Sequence, residues 1–275
     1  MIFQIPYPRI DPVFLHLGPV QLRWYGLMYM LSFIISFFVL RRFAKLRKLS
    51  LSTDDLYDLL FYLIIGVMLG GRLGYVIFYD LASYMLDPVS IFAIWQGGMS
   101  FHGGFVGVVA AAWWACRRKG WNFLEIADLA CVAVPIGLGL GRIGNFINGE
   151  LYGRETSVPW AMIFPDGGPE LRHPSQLYEA LLEGLLLFLI LRWIYRKNLY
   201  RGTVFWALVG FYGLFRFLVE FAREPDSQIG FDLGPFTRGQ VLTFPMLAVG
   251  MTMMFIYARR NRPGKSHPSR KSQGR

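Results

Sequence analysis

Apolar residues in this chain gather in long stretches separated by short basic clusters, the pattern of a bundle of membrane-spanning helices. Seven stretches are long enough to cross ~30 Å of hydrocarbon at ~1.5 Å of rise per residue. They run over Pro19–Leu40, Leu56–Phe78, Gly98–Cys116, Ile126–Phe146, Gln176–Ile194, Thr203–Phe221 and Val241–Tyr257. The pattern predicts an all-α, polytopic membrane helix bundle: one seven-span domain over residues 1–258, then a basic, disordered tail over 259–275. No internal repeat is evident, which argues against transporters built from echoing halves.

Composition sharpens the picture. Only 17% of residues are charged and 54% are hydrophobic, whereas soluble domains carry nearer ~25% charged residues. The net charge of +10 raises the question of a nucleic-acid partner, but the charge lies between hydrophobic runs rather than on one soluble face, so none is expected. The two cysteines, Cys116 and Cys131, have no metal-ligand spacing, and with four histidines in all no metal site is expected. Met1 to Val13 holds three prolines and no Lys or Arg cluster, unlike a cleavable signal peptide, so the first span is expected to be retained.

The basic residues also orient the bundle. Of the 28 Lys and Arg, 19, including all six lysines, fall after spans one and three, in the last turn of span five or just after it, and in the tail. Six arginines fall on the opposite side: Arg9, Arg23, Arg154, Arg172, Arg223 and Arg238. Cytoplasmic segments are the basic ones, so the N-terminus is expected outside and the C-terminus inside. The tail suits contact with anionic membrane lipid.

Ionisable residues within spans are candidates for function because each costs ~2.5–3.5 kcal/mol on insertion. Arg72 and Arg142 lie about 24 Å from the cytoplasmic ends of their spans, Arg216 about 20 Å, and His102 about 6 Å from the outer face. With Tyr25 they are expected to share one outer layer. Glycine-rich stretches, Gly70 to Tyr75 and Gly97 to Gly104, allow close backbone approach there. The densest stretch, Gly137 to Glu150, ends a span in Gly, Arg, Asn and Glu, which is tolerated only inside protein or along a wet cavity. Arginine without lysine in this layer suits a phosphate, since guanidinium forks onto it bidentately and keeps its charge when desolvated. Arg216 and Glu220 stand at i, i+4 and can pair. Glu179 fits ordinary preferences near a helix start, while Glu183 needs a partner such as a buried Arg. His173 reads as a capping or surface residue.

Gly141-Arg142-Ile143-Gly144-Asn145-Phe146-Ile147-Asn148-Gly149-Glu150 resembles the signature of prolipoprotein diacylglyceryl transferases. So do Trp24-Tyr25-Gly26, Gly98 to Gly104, His173-Pro174-Ser175-Gln176-Leu177-Tyr178-Glu179, and Phe215-Arg216 with Glu220, in order along the chain. The resemblance implies a seven-span enzyme of the bacterial inner membrane with its active site toward the periplasm. Its partners would be phosphatidylglycerol and the lipobox cysteine of a prelipoprotein signal peptide; it would form a thioether and release glycerol phosphate. The outer segment from Gly153 to Arg172 looks shorter than in some members.

The residue set fits that chemistry. A thiol of pKa ~8.5 is mostly protonated at neutral pH, so a base helps, and His102 is the histidine of the layer. Arg142 and Arg216 are the candidates for stabilising the departing phosphate. Tyr25, Asn145, Asn148, Glu150, Glu220 and Arg72 complete the expected headgroup surroundings, with Glu150 or Tyr25 next in line as base. No nucleotide motif is present and no cofactor is expected. The rival readings are a lipid or small-molecule transporter with an arginine-lined outer cavity, and an intramembrane protease using Ser100 or Ser175. The first predicts polar residues in the inner halves of the spans, which are mostly apolar. The second lacks a Gly-x-Ser-x-Gly elbow.

Overall fold

The computed structural model describes residues 5–8, 10–18, 20–93, 95, 97–224, 231–233 and 236–260. In order, the elements are β1 (Val13–Leu17), β2 (Val20–Arg23), α1 (Trp24–Leu46), α2 (Thr53–Phe78), α3 (Leu81–Leu86), a 3₁₀ turn (Pro88–Phe92), α4 (Phe101–Lys119) and α5 (Phe123–Asn148). Then come α6 (Ser175–Glu179), a π-helical turn (Ala180–Leu186), α7 (Leu187–Arg196), α8 (Thr203–Val219), β3 (Phe231–Leu233), β4 (Phe236–Thr237) and α9 (Arg238–Arg259). Two short antiparallel hairpins, β1–β2 and β3–β4, correct the all-α expectation. The first span starts at Trp24 rather than Pro19 because the preceding residues pair as that first hairpin. Of the expected tail, residues 261–275 lie outside the described residues.

Among the described residues, four helices are long and apolar enough to cross a membrane: α1, α2, α5 and residues Gly239–Arg259 of α9. The other three expected spans fall short for separate reasons. α4 carries Arg117, Arg118 and Lys119 in its last turn. The helix from Ser175 to Arg196 is interrupted by the π turn and holds Glu179 and Glu183. α8 has 17 residues, about 26 Å of rise.

The described residues divide into two compact units, residues 37–127 and residues 1–36 with 128–275. In the first, Ser52 and Asp55 close a capping box at the start of α2, satisfying two otherwise orphan amides. α2 and α4 touch backbone to backbone: a Cβ on Gly70, Gly103 or Gly107 would overlap the facing helix. Ser100 caps α4 through the Gly103 amide at 3.2 Å and donates its own amide to Gly71 O at 2.8 Å. Leu59, Cys116 and Ile126 form a buried cluster at the other end.

In the second unit, α8 and α9 approach at Gly210 and Gly250, again where no Cβ fits. The N-cap of α8, Gly202, has no side chain to offer, and the buried Asp128 of α5 supplies the cap instead. It accepts from the Gly202, Val204 and Phe205 amides, each at 3.0 Å. Gly139 of α5 faces Gly184 of the π turn just as closely. These contacts fix α5, the Ser175–Arg196 helix and α8 against one another, and all three carry charged residues at one level.

Candidate active site

α5 ends where Gly149 (φ 72°) and Leu151 (φ 57°) turn left-handed. The Tyr7 hydroxyl donates toward two carbonyls of that last turn, Phe146 O at 2.6 Å and Ile147 O at 3.0 Å. Asn145 and Asn148 both donate to Glu150 Oε1, at 2.8 and 3.1 Å, and Gln176 Nε2 holds the Glu150 carbonyl at 2.6 Å. Tyr25 lies over Gly144, where a Cβ would strike its ring at 2.9 Å, and within charge range of Arg142 and Glu150.

One turn back along α5 the arginines converge. Glu179 is fully buried. Its Oε2 pairs with Arg142 Nε at 2.6 Å and Arg216 Nη1 at 3.2 Å, while Oε1 takes Arg223 Nη1 at 3.1 Å. Arg216 Nη2 pairs with Glu220 Oε2 at 3.1 Å, as the i, i+4 spacing allows. Glu220 Oε1 accepts from Thr237 Oγ1 at 3.0 Å. Three guanidiniums thus hang on two carboxylates, with the Arg142 side chain 22% exposed. The segment between α5 and α6 meets them through Arg154, whose Nε donates to Arg223 O at 2.6 Å and whose amide donates to Ala222 O at 2.9 Å.

The sequence profile of the family described as prolipoprotein diacylglyceryl transferase matches residues 12–256. The chain belongs to that family. It is 57% identical over 254 residues to the phosphatidylglycerol–prolipoprotein diacylglyceryl transferase of Geobacter sulfurreducens, covering 92% of this chain and 98% of that protein. Proteins of the same name from Vibrio vulnificus (50% identical, 91% of this chain and 92% of the relative) and Aeromonas hydrophila (49%, 92% and 93%) are also similar.

Set against the family-like motifs, the second unit gathers Tyr25, Arg142, Asn145, Asn148, Glu150, Arg216 and Glu220. Arg72 and His102 belong to the first unit. His102 stands exposed in the first turn of α4. Arg72 is 4% exposed and caged by carbonyls. Its Nε donates to Ile91 O at 2.8 Å, Nη1 to Gly97 O at 2.6 Å and Gly98 O at 3.2 Å, and Nη2 to Ser90 O at 2.6 Å and Ala93 O at 3.3 Å. A guanidinium has five N–H groups, so this geometry leaves no donor for a lipid headgroup, contrary to the role expected of Arg72.

Two members of the arginine cluster escaped the sequence argument. Glu179 passes for a residue of a helix start, yet it is the hub. Arg223, just beyond the end of α8, stands three residues past Glu220 and seven past Arg216, a helical spacing that could have found it. Glu183 was expected to hold a buried Arg; the arginines go to Glu179 instead. His173 Nδ1 meets the Tyr178 hydroxyl at 3.1 Å, and Trp160 Nε1 donates to the same hydroxyl at 2.6 Å. A cavity of about 980 Å³ lies beside Asn148, bounded by Tyr7, Ile10, Phe164 and Pro165.

Proposed function

We propose that this protein transfers the diacylglyceryl group of phosphatidylglycerol to the lipobox cysteine thiol of prelipoproteins, forming a thioether and releasing glycerol phosphate. The observation that carries the reading is the convergence of Arg142, Arg216 and Arg223 on Glu179. In the reaction the thiolate attacks the terminal diacylglyceryl carbon, the bond from that carbon to the phosphate oxygen breaks, and its electron pair leaves with glycerol phosphate. Charge therefore grows on phosphate oxygens, where fixed guanidiniums in a dry site stabilise it most. Carboxylate-paired arginines suit this task, because phosphate oxygens can replace carboxylate oxygens on the same fork.

In this proposal Arg142 and Arg216 take the phosphate. Tyr25, Asn145, Asn148, Glu150 and Glu220 hold the surroundings, and Arg72 orders the Pro88–Gly98 segment rather than the lipid. His102 is the proposed thiol base on its chemistry alone. Its test is His102→Gln, which should lose ~10²–10⁴-fold in rate and recover part of it at raised pH. Loss of lipid binding without recovery makes it a binding residue.

The membrane frame of the proposal is seven spans in the bacterial inner membrane, with the N-terminus outside and the site toward the periplasm. It is supported by the basic split across the spans. Labelling of Lys119→Cys by an impermeant reagent in intact cells would overturn this orientation. The activity itself is tested with purified protein, phosphatidylglycerol and a lipobox peptide. Mass spectrometry should find a diacylglyceryl mass on the cysteine, and none on a serine-substituted peptide.

A further inference from the structure

The arginine cluster has a third carboxyl beside it. Glu183 lies in the π-helical turn one turn along from Glu179, fully buried. Neither of its carboxyl oxygens has a hydrogen-bond partner among the described residues. It is surrounded by charge nonetheless: Glu179 on its own helix, Arg142 from α5, Arg216 and the Tyr212 hydroxyl from α8, and Arg223 just beyond α8. Packing, not polar bonding, holds it there. A Cβ on the adjacent Gly184 would come within 2.6 Å of the Gly139 Cα, so the turn is pinned against the part of α5 that leads to Arg142. The wider π turn is a local departure of the kind found at functional sites.

The charge balance of the cluster depends on this one group. Arg142, Arg216 and Arg223 supply three positive charges and their ion-paired partners Glu179 and Glu220 two negative ones. With Glu183 as a carboxylate the cluster sums to zero; with Glu183 as a carboxylic acid it keeps one positive charge. A dry carboxylate with no hydrogen bond is the costlier form, and an anion bound beside it raises that cost.

We propose that Glu183 is a positioning residue that carries a proton and so leaves the cluster one positive charge with which to hold an anionic phosphodiester headgroup. It follows that headgroup binding and retention of the proton favour each other equally. The inference rests on the headgroup site proposed above, and its tests use lipid binding rather than transfer.

Full-length protein in phosphatidylcholine nanodiscs should show an infrared carbonyl band of a protonated carboxyl that is missing from Glu183→Gln. The Kd for added phosphatidylglycerol, measured without peptide, should rise with pH above the titration of Glu183, approaching tenfold per unit for one linked proton. Glu183→Gln should flatten that slope and Glu183→Asp should restore it. An unchanged slope in Glu183→Gln, or a wild-type spectrum without the band, overturns the proposal. Should the Gln variant not fold, the Asp variant decides through the infrared band, and a band that does not move on Glu183→Asp also overturns it. Absence of transfer with band and slope intact would defeat the proposed activity and leave this assignment standing.

Discussion

Two buried arginine sites in this protein use the same side chain for opposite ends. Arg72 spends all five N–H groups on backbone carbonyls of one segment, Ser90 to Gly98. Arg142, Arg216 and Arg223 instead share the carboxylates of Glu179 and Glu220. Carbonyls of a folded segment cannot be displaced without unfolding it, so Arg72 is a fastener. A carboxylate is a stand-in for phosphate in charge and in fork geometry, so a guanidinium held by one can be handed over. Burial of an arginine therefore says little by itself; what differs between the two places is whether its partner is exchangeable.

The sharpest way to break the contrast is to remove the hub. Glu179→Gln leaves three guanidiniums short of a buried carboxylate and should cost about 3–5 kcal/mol. Thermal unfolding in detergent checks it, and an unchanged midpoint would mean that Glu220 can carry the cluster alone. Next, Arg142→Lys keeps the charge but loses the fork. Transfer should drop by ~10²–10³-fold, with the unfolding midpoint nearly kept. Wild-type turnover and lipid affinity in that variant would remove Arg142 from the phosphate site.

Arg72→Lys should show the reverse. An ammonium has three donors, so at least two carbonyl bonds are lost, costing about 2–4 kcal/mol of stability, while turnover per folded molecule changes little. A large fall in turnover of fully folded Arg72→Lys would return Arg72 to the headgroup site. The smallest effect concerns the segment between α5 and α6. Burial lowers the pKa of His173 from its ordinary 6.5. Its contribution to stability is therefore complete above that pH and fades as pH falls through it. Amide exchange of Gly153, whose N–H bonds the His173 carbonyl at 2.8 Å, should quicken relative to the rest of the segment below pH 6.5, and His173→Phe should abolish that dependence.

Long apolar runs, basic clusters and the stretch from Gly141 to Glu150 were legible in the sequence because each depends on local composition. Insertion energy is summed residue by residue, and motif order is a property of the chain itself. The same locality explains the correct i, i+4 pairing of Arg216 with Glu220, a contact within one helix. It also explains the misjudged start of the first span, where residues apolar enough for a membrane pair as a hairpin instead. What composition could not decide was which charge meets which. Arg72 and Arg142 look alike as glycine-flanked arginines at about the same depth, and Glu179 looks like any acidic residue near a helix start. Only the tertiary structure, by bringing α5 and α8 against Glu179 and the carbonyls of Ser90, Ile91, Ala93, Gly97 and Gly98 onto Arg72, gave one arginine fixed backbone partners and the others shared carboxylates. Partnership of buried charges is set by distance between elements far apart in the chain, and no local property of a sequence encodes that distance.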